Sequence, residues 1–183
     1  GSCGLRMDFQ RVERGLAFLE KEQEADGSWF GRWGVNYLYG TSGVISALAA
    51  LAPARYQTRL KQAVLWLLSC QNADGGWGET CESYKDVSLK GQGVSTASQT
   101  AWALIGLLDA QQVGVTVPTL SSAIEQGVNY LISTQTSSGY WEEQEFTGTG
   151  FPCHFYIRYH YYRQYFPLMA LGRYQKALEE VKE

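Results

Sequence analysis

Apolar positions recur at helical intervals along most of the chain. Val12, Leu16 and Leu19 fall at i, i+4 and i+7 while Arg11, Glu13, Glu20 and Lys21 occupy the other faces. Ile124, Val128, Leu131 and Ile132 repeat that arrangement, so both stretches predict amphipathic helices with one wet side. The segments over 41–51, 95–110 and 161–178 are more uniformly apolar, and Thr100-Ala101-Trp102-Ala103-Leu104-Ile105-Gly106-Leu107-Leu108 is apolar nearly all round. A helix of that kind is an inner, buried one. Strand-like alternation is nearly absent. Half-wet helices alternating with buried ones predict an all-α fold in two concentric layers, an α/α toroid. About three helix pairs are present, fewer than a closed ring generally takes, so the expected shape is an open arc, a partial α6–α6 barrel.

The pairs are repeats. Arg14-Gly15-Leu16-Ala17-Phe18-Leu19 leads to Gln23 and Gly27-Ser28-Trp29, Ala63-Val64-Leu65-Trp66-Leu67 to Gln71 and Gly75-Gly76-Trp77, and Gly127-Val128-Asn129-Tyr130-Leu131 to Gln135 and Gly139-Tyr140-Trp141. In all three the aromatic precedes the Gln by five residues and the Trp follows it by six. The glutamines are 48 and 64 residues apart, the length of a helix pair plus a variable loop. Asp26-Gly27 and Asp74-Gly75 supply turn residues where a helix must stop and reverse. Each Gln sits where the end of an outer helix leaves backbone groups without intrahelical partners. Its amide can satisfy them while Trp29, Trp77 or Trp141 packs over it, stapling adjacent repeats.

Composition narrows the function. Of 183 residues 45% are hydrophobic and 14% aromatic, which excludes disorder. The net charge of -3, with scattered basic residues, argues against a nucleic-acid partner. The longest apolar run, over 44–53, is about half of the roughly 20 residues that a membrane span needs. Cys3, Cys70, Cys81 and Cys153 form no C-x-x-C pair and read as reduced thiols. His154 and His160 are six residues apart, off one helical face, so no metal site is expected from them. Phosphate-binding loops, nucleophile elbows and His-Glu-x-x-His are all missing from the sequence. Glu142-Glu143 and Glu179-Glu180 read as solvated faces. Residues 1–7 read as linker or added residues, and 8–183 as the folded part.

The Gln-x-x-x-Gly-x-Trp element resembles the QW motif of the triterpene cyclases. Three further blocks, over 27–41, 95–104 and Thr147-Gly148-Thr149-Gly150-Phe151-Pro152, are similar in order and spacing to those of the squalene-hopene cyclases. The resemblance runs from about residue 10 to 176 and implies the C-terminal part of the catalytic barrel. It implies squalene as substrate of the whole enzyme, protonated at a terminal double bond by the middle Asp of an Asp-x-Asp-Asp motif and closed into hopene or hopanol through carbocations. No cofactor or metal is implied. Of Asp8, Asp26, Asp74, Asp86 and Asp109 no two are adjacent, so the acid is missing from this chain. The fragment alone is therefore expected to be inactive.

The same resemblance assigns the candidate site. Trp33 matches a cavity-lining Trp, and Tyr39 a Tyr that helps hold the acid's hydrogen-bond network. Phe151 and Phe155 match phenylalanines that stabilise ring cations, and Tyr159 and Tyr162 match tyrosines that orient them. From spacing alone, Trp33 and Tyr39 can equally be ordinary buried aromatics. Phe151, Phe155, Tyr159 and Tyr162 fall at i, i+4, i+8 and i+11, one stripe on a helix or helix-like turn, which can equally be core. Cys153 and His154 depart from the small-acidic pair of some family members. The implied partners are squalene and the missing N-terminal part of the polypeptide, with a homodimer across the open apolar face of the arc. The whole enzyme is expected as a monotopic membrane protein facing the cytoplasm, and the fragment as soluble. The other readings are a stand-alone toroid module that is structural or binds a hydrophobic ligand, and the oxidosqualene branch of the family.

Overall fold

The computed structural model describes residues 9–180; the segment 1–7 read as linker, with Cys3, lies outside them. Helices α1 (Phe9–Glu22), α3 (Pro53–Ser69) and α5 (Leu120–Thr134) form the outer layer. Helices α2 (Tyr37–Leu51), α4 (Ala97–Gln112) and α6 (Tyr162–Glu180) form the inner one. The inner helices lie side by side, with α4 between α2 and α6 and backed by α3 and α5. The three pairs form an arc of an α/α toroid. Because neighbours surround α4, it buries polar Ser98, Gln99 and Thr100 together with Trp102, Leu104 and Leu107. Gly106 permits the close crossing with α2, since a Cβ there would stand 3.1 Å from Ser42 Cα.

Two expectations are corrected. Helix α6 is not a buried inner helix: among its residues only Pro167 and Ala170 are buried, and Leu168 is 60% exposed. Among the described residues its main neighbour is α4, against which it packs along one side. The stripe over 151–162 is not helical either. Gly148–Phe151 (β1) pairs antiparallel with Phe155–Ile157 (β2), and α6 begins only at Tyr162. Gly148, Gly150 and Pro152 disfavour helix there, while Thr149, Phe155, Tyr156 and Ile157 suit a strand. Cys153, at φ 67°, takes the left-handed corner between the strands.

The repeat turns rest on the next outer helix. Gly27 and Gly75 have φ of 95° and 85°. A Cβ at either would come within 2.7 Å of the backbone carbonyl of Gln62 in α3 or Gln126 in α5. Gly139 has the same kind of φ, 83°, but nothing within 4 Å of its Cβ position. Gly139→Ala should therefore cost only the left-handed strain, ~1–3 kcal/mol. Gly75→Ala adds a backbone displacement and should lower the melting temperature further than Gly139→Ala does. Equal shifts in thermal unfolding would show that the turn does not bear on α5.

Candidate functional site

At the rim where the inner helices begin, side chains tie each turn to its own and the neighbouring repeat. Gln23 Nε2 donates to Gly27 O (3.1 Å) in its own turn and to Arg59 O (3.2 Å) in α3. Gln71 Nε2 does the same with Gly75 O (2.9 Å) and Ala123 O (2.9 Å) in α5. Gln135 Nε2 meets Gly139 O (3.0 Å), within its own turn. The indole N–H groups of Trp29, Trp77 and Trp141 each donate back to a carbonyl near the end of the preceding outer helix, Leu19, Leu67 and Leu131, at 2.7, 2.7 and 2.8 Å. All three rings are buried.

Two buried carboxylates cap inner helices of the preceding repeat. Glu79, 3% exposed, accepts through Oε2 from the amides of Asn36 (3.1 Å) and Leu38 (2.8 Å) at the start of α2. Glu143, 4% exposed, accepts from the amide (2.9 Å) and hydroxyl of Ser98 in α4. The reading of Glu143 as part of a solvated face is thereby overturned. Orphan amides at a buried helix start attract a carboxylate strongly enough to draw it out of water. Burial raises both pKa values above the ordinary glutamate range, against the lowering effect of these hydrogen bonds. The sequence held one sign of this: a Glu stands two residues after Trp77 and after Trp141.

The aromatic residues gather at the same rim. Trp33 lies in the loop before α2, 54% exposed, with the Arg32 guanidinium 5.0 Å from its ring centre. Tyr39 stands in the first turn of α2, partly exposed, with its ring edge-on to Trp102 at 5.1 Å. Trp102 also meets Tyr162 at 5.9 Å and Phe166 at 5.5 Å. Tyr162 stacks on Tyr159 at 4.5 Å. Phe151 and Phe155 face each other edge-on at 5.8 Å on the hairpin, both about half exposed. Tyr39, Tyr159 and Tyr162 are thus joined through ring contacts, and Phe151 with Phe155 forms a second pair. The loop of Trp33 joins the two groups as a short extra strand. Val35 N–H donates to Thr147 O and Thr149 N–H to Trp33 O, each at 3.0 Å, and Gly34 bridges Gly148. Trp102, at the centre of the first group, is hidden in the sequence because an indole on a buried helix reads as core.

Glycines permit this arrangement. The ring of Tyr39 lies against Gly34, that of Tyr159 against Gly148 and that of Phe155 against Gly150, each where a Cβ would otherwise stand. The rings can therefore lie on the strand backbone, which gives the Gly-Thr-Gly block a steric reason. Burial, followed by the neighbouring Tyr165 and Tyr159, pushes the Tyr162 phenol up to about 12. It is therefore neutral at physiological pH. The rim can offer neutral ring faces to a ligand. Among the described residues no three His, Cys, Asp or Glu side chains converge as metal ligands, and no helix is long and apolar enough to cross a membrane.

A family model described as the squalene-hopene cyclase C-terminal domain matches residues 1–176. The chain belongs to this cyclase family. Dammaradiene synthase of the fern Dryopteris crassirhizoma is 51% identical to it, over 94% of this chain and 26% of the relative. Squalene-hopene cyclase of Alicyclobacillus acidocaldarius is 48% identical, over 98% of this chain and 27% of the relative. This cyclase-family chain spans about a quarter of the length of the relatives it matches. The ent-copalyl diphosphate synthase from Streptomyces platensis shares the fold, with a TM-score of 0.68 at 20% identity over 91% of this chain and 29% of that one.

The capping carboxylate has a pH signature. A folded pKa raised above the unfolded value means that the folded state holds its proton more tightly. Glu79 contributes its full stability below the ordinary glutamate value of 4.5 and loses it as pH rises through the folded value. Glu79→Gln cannot ionise, so its stability relative to wild type should rise with pH across that window. Parallel curves of melting temperature against pH for the two proteins would contradict this.

Proposed function

We propose that this chain is the C-terminal part of a triterpene cyclase and walls the cavity in which squalene is closed to hopene or hopanol through carbocations. The observation that carries the proposal is the set of rings at one rim of a chain that belongs to this family: Trp33, Tyr39, Phe151, Phe155 and Tyr159, exposed by a third to a half or more, with Tyr162 more buried behind Tyr159. Neutral ring faces suit the chemistry. Each can stabilise a nearby cation by ~0.5–2 kcal/mol, and more when water is excluded. A ring also does not trap the cation as a hydroxyl or carboxylate would. The protonating acid comes from elsewhere in the polypeptide, because no Asp-x-Asp-Asp occurs in this chain.

The remainder of the polypeptide is the principal partner. Three observations support docking at the α5–α6 edge: among the described residues Gln135 Nε2 meets its own turn alone, Gly139 has open space beside it, and Leu168 and Met169 of α6 are exposed. Another helix pair laid there would supply the outer-helix carbonyl that Gln23 and Gln71 already have. On this reading the QW residues Gln23, Trp29, Gln71, Trp77, Gln135 and Trp141 brace repeats and take no part in chemistry. The isolated chain, with that edge bare, would pair with a second copy. The complete enzyme would sit on the cytoplasmic face of a membrane and take squalene from one leaflet.

Incubating the full-length protein with squalene, and separately with oxidosqualene, should give cyclic triterpenes from squalene, while residues 1–183 alone should give none. Cyclisation by the isolated chain, or only of oxidosqualene, would overturn the reading. In the full-length enzyme Phe155→Ala should divert product toward compounds with fewer rings. Loss of one ring face worth ~0.5–2 kcal/mol corresponds to about a two- to thirtyfold change in partition. An unchanged product mixture would make Phe155 core only.

A further inference from the structure

Trp33 and Tyr39 reach the rim from a loop whose backbone is held by polar groups of the following repeat. Glu79 is the hub of this hold. Its carboxylate takes the amides of Asn36 and Leu38, on either side of Tyr37. Its own amide donates to Gln99 Oε1 (3.0 Å), and Gln99 Nε2 donates in turn to Glu79 O (3.1 Å) and Val35 O (3.0 Å). Asn36 Nδ2 donates to Ser83 Oγ at 3.1 Å, four residues beyond Glu79. The Tyr84 hydroxyl closes the loop from the other side, 2.9 Å from Gly31 O and 2.7 Å from Gly34 O.

The carboxylate is costly to keep. It is 3% exposed, both of its amide bonds fall on Oε2, and among the described residues no cation pairs with it. Removing a charge from water without a counter-charge opposes folding. Stability alone would be served by a neutral cap of the kind Thr96 provides through its hydroxyl to Gln99 N (3.2 Å) in α4. One side-chain oxygen that accepts from two amides of the same turn, reaching across from the next repeat, fixes the direction in which a helix starts. Here that direction aims Tyr39 at Trp102 and seats its ring on Gly34, next to Trp33.

We infer that Glu79 is a positioning residue, holding the loop of Trp33 and the first turn of α2 so that the rings of Trp33 and Tyr39 keep their places in the wall and thereby govern how far ring closure runs. The inference rests on the cyclase reading above for its consequence in product, and on the hydrogen bonds alone for its consequence in structure. Glu143 is the same device one repeat on, but the first turn it caps carries none of the six wall residues. Gly31, at the matching place in the first repeat, has no side chain to reach back with.

The test compares three variants of the full-length protein. Glu79→Ala should raise the fraction of products with fewer rings about three- to tenfold, and lower kcat about tenfold or more with KM little changed, as expected when reacting groups are misplaced by a fraction of an ångström. Glu79→Gln keeps an acceptor oxygen of the same reach and should restore most of the wild-type product ratio. Gln71→Ala removes an outer-layer tie to Gly75 and Ala123 and should lower the melting temperature with the product ratio unchanged. Hydrogen exchange should show residues 31–40 losing protection in Glu79→Ala but not in Gln71→Ala. If Glu79→Ala does not fold, Glu79→Asp, one methylene short, should show the same changes in smaller measure. Retained protection of 31–40, or a product shift in Gln71→Ala equal to that in Glu79→Ala, would overturn the inference. Absence of any turnover by the wild-type protein would instead count against the cyclase reading, and the exchange measurement would still judge Glu79.

Discussion

Packing helices in pairs around an arc brings their ends to one rim, where each leaves amides or carbonyls that its own turn cannot satisfy. Everything else in this structure depends on how neighbouring repeats satisfy them. The indoles of Trp29, Trp77 and Trp141 take carbonyls in the last turns of their outer helices, Glu79 and Glu143 reach back to amides of the preceding inner helix, and Gln23 and Gln71 reach forward to carbonyls in the early part of the next outer helix. Each repeat is therefore completed by its neighbours in both directions. Buried apolar side chains such as Leu38, Ile45, Leu104 and Leu107 supply the cohesive area. That contact is not directional, whereas the polar ties fix where each pair stands relative to the next.

The same ties create the site. Because the helix starts are held by groups from behind, their front sides need little apolar anchoring and can carry rings that remain half exposed. The rings then lie on glycines, edge-on or stacked with one another, with Trp102 as the buried base of one group and the hairpin as the support of the other. A wall of this kind offers many weak, overlapping ring faces at once. It is suited to a charge that moves during a reaction, since no single strong partner arrests it.

Features written into short spacings are legible in the sequence alone. The Gln-to-Trp distance reveals the repeats, and the contrast between half-wet and fully apolar periods separates outer from inner helices. Features that depend on what lies across the fold are not. The 151–162 segment has aromatic residues at helical intervals, yet its glycines and proline direct it into a hairpin, and the period was coincidental. Glu143 beside Glu142 looks like a solvated pair in sequence, because the amide and hydroxyl of Ser98 that draw it inward lie 45 residues away. Helix α6 carries an inner-helix sequence without an inner helix's surroundings, so its composition predicted a burial that only another packed element could supply.

The central claim is that the rim of rings faces developing positive charge. It is tested most directly by a structure of the full-length protein with a squalene analogue in which a protonated amine replaces a cationic carbon of the cascade. The account predicts the ammonium within about 6 Å of ring faces drawn from Trp33, Tyr39, Phe151, Phe155, Tyr159 and Tyr162. An analogue bound with its charge away from these rings, or paired with a carboxylate elsewhere while the rings contact only its neutral chain, would contradict it.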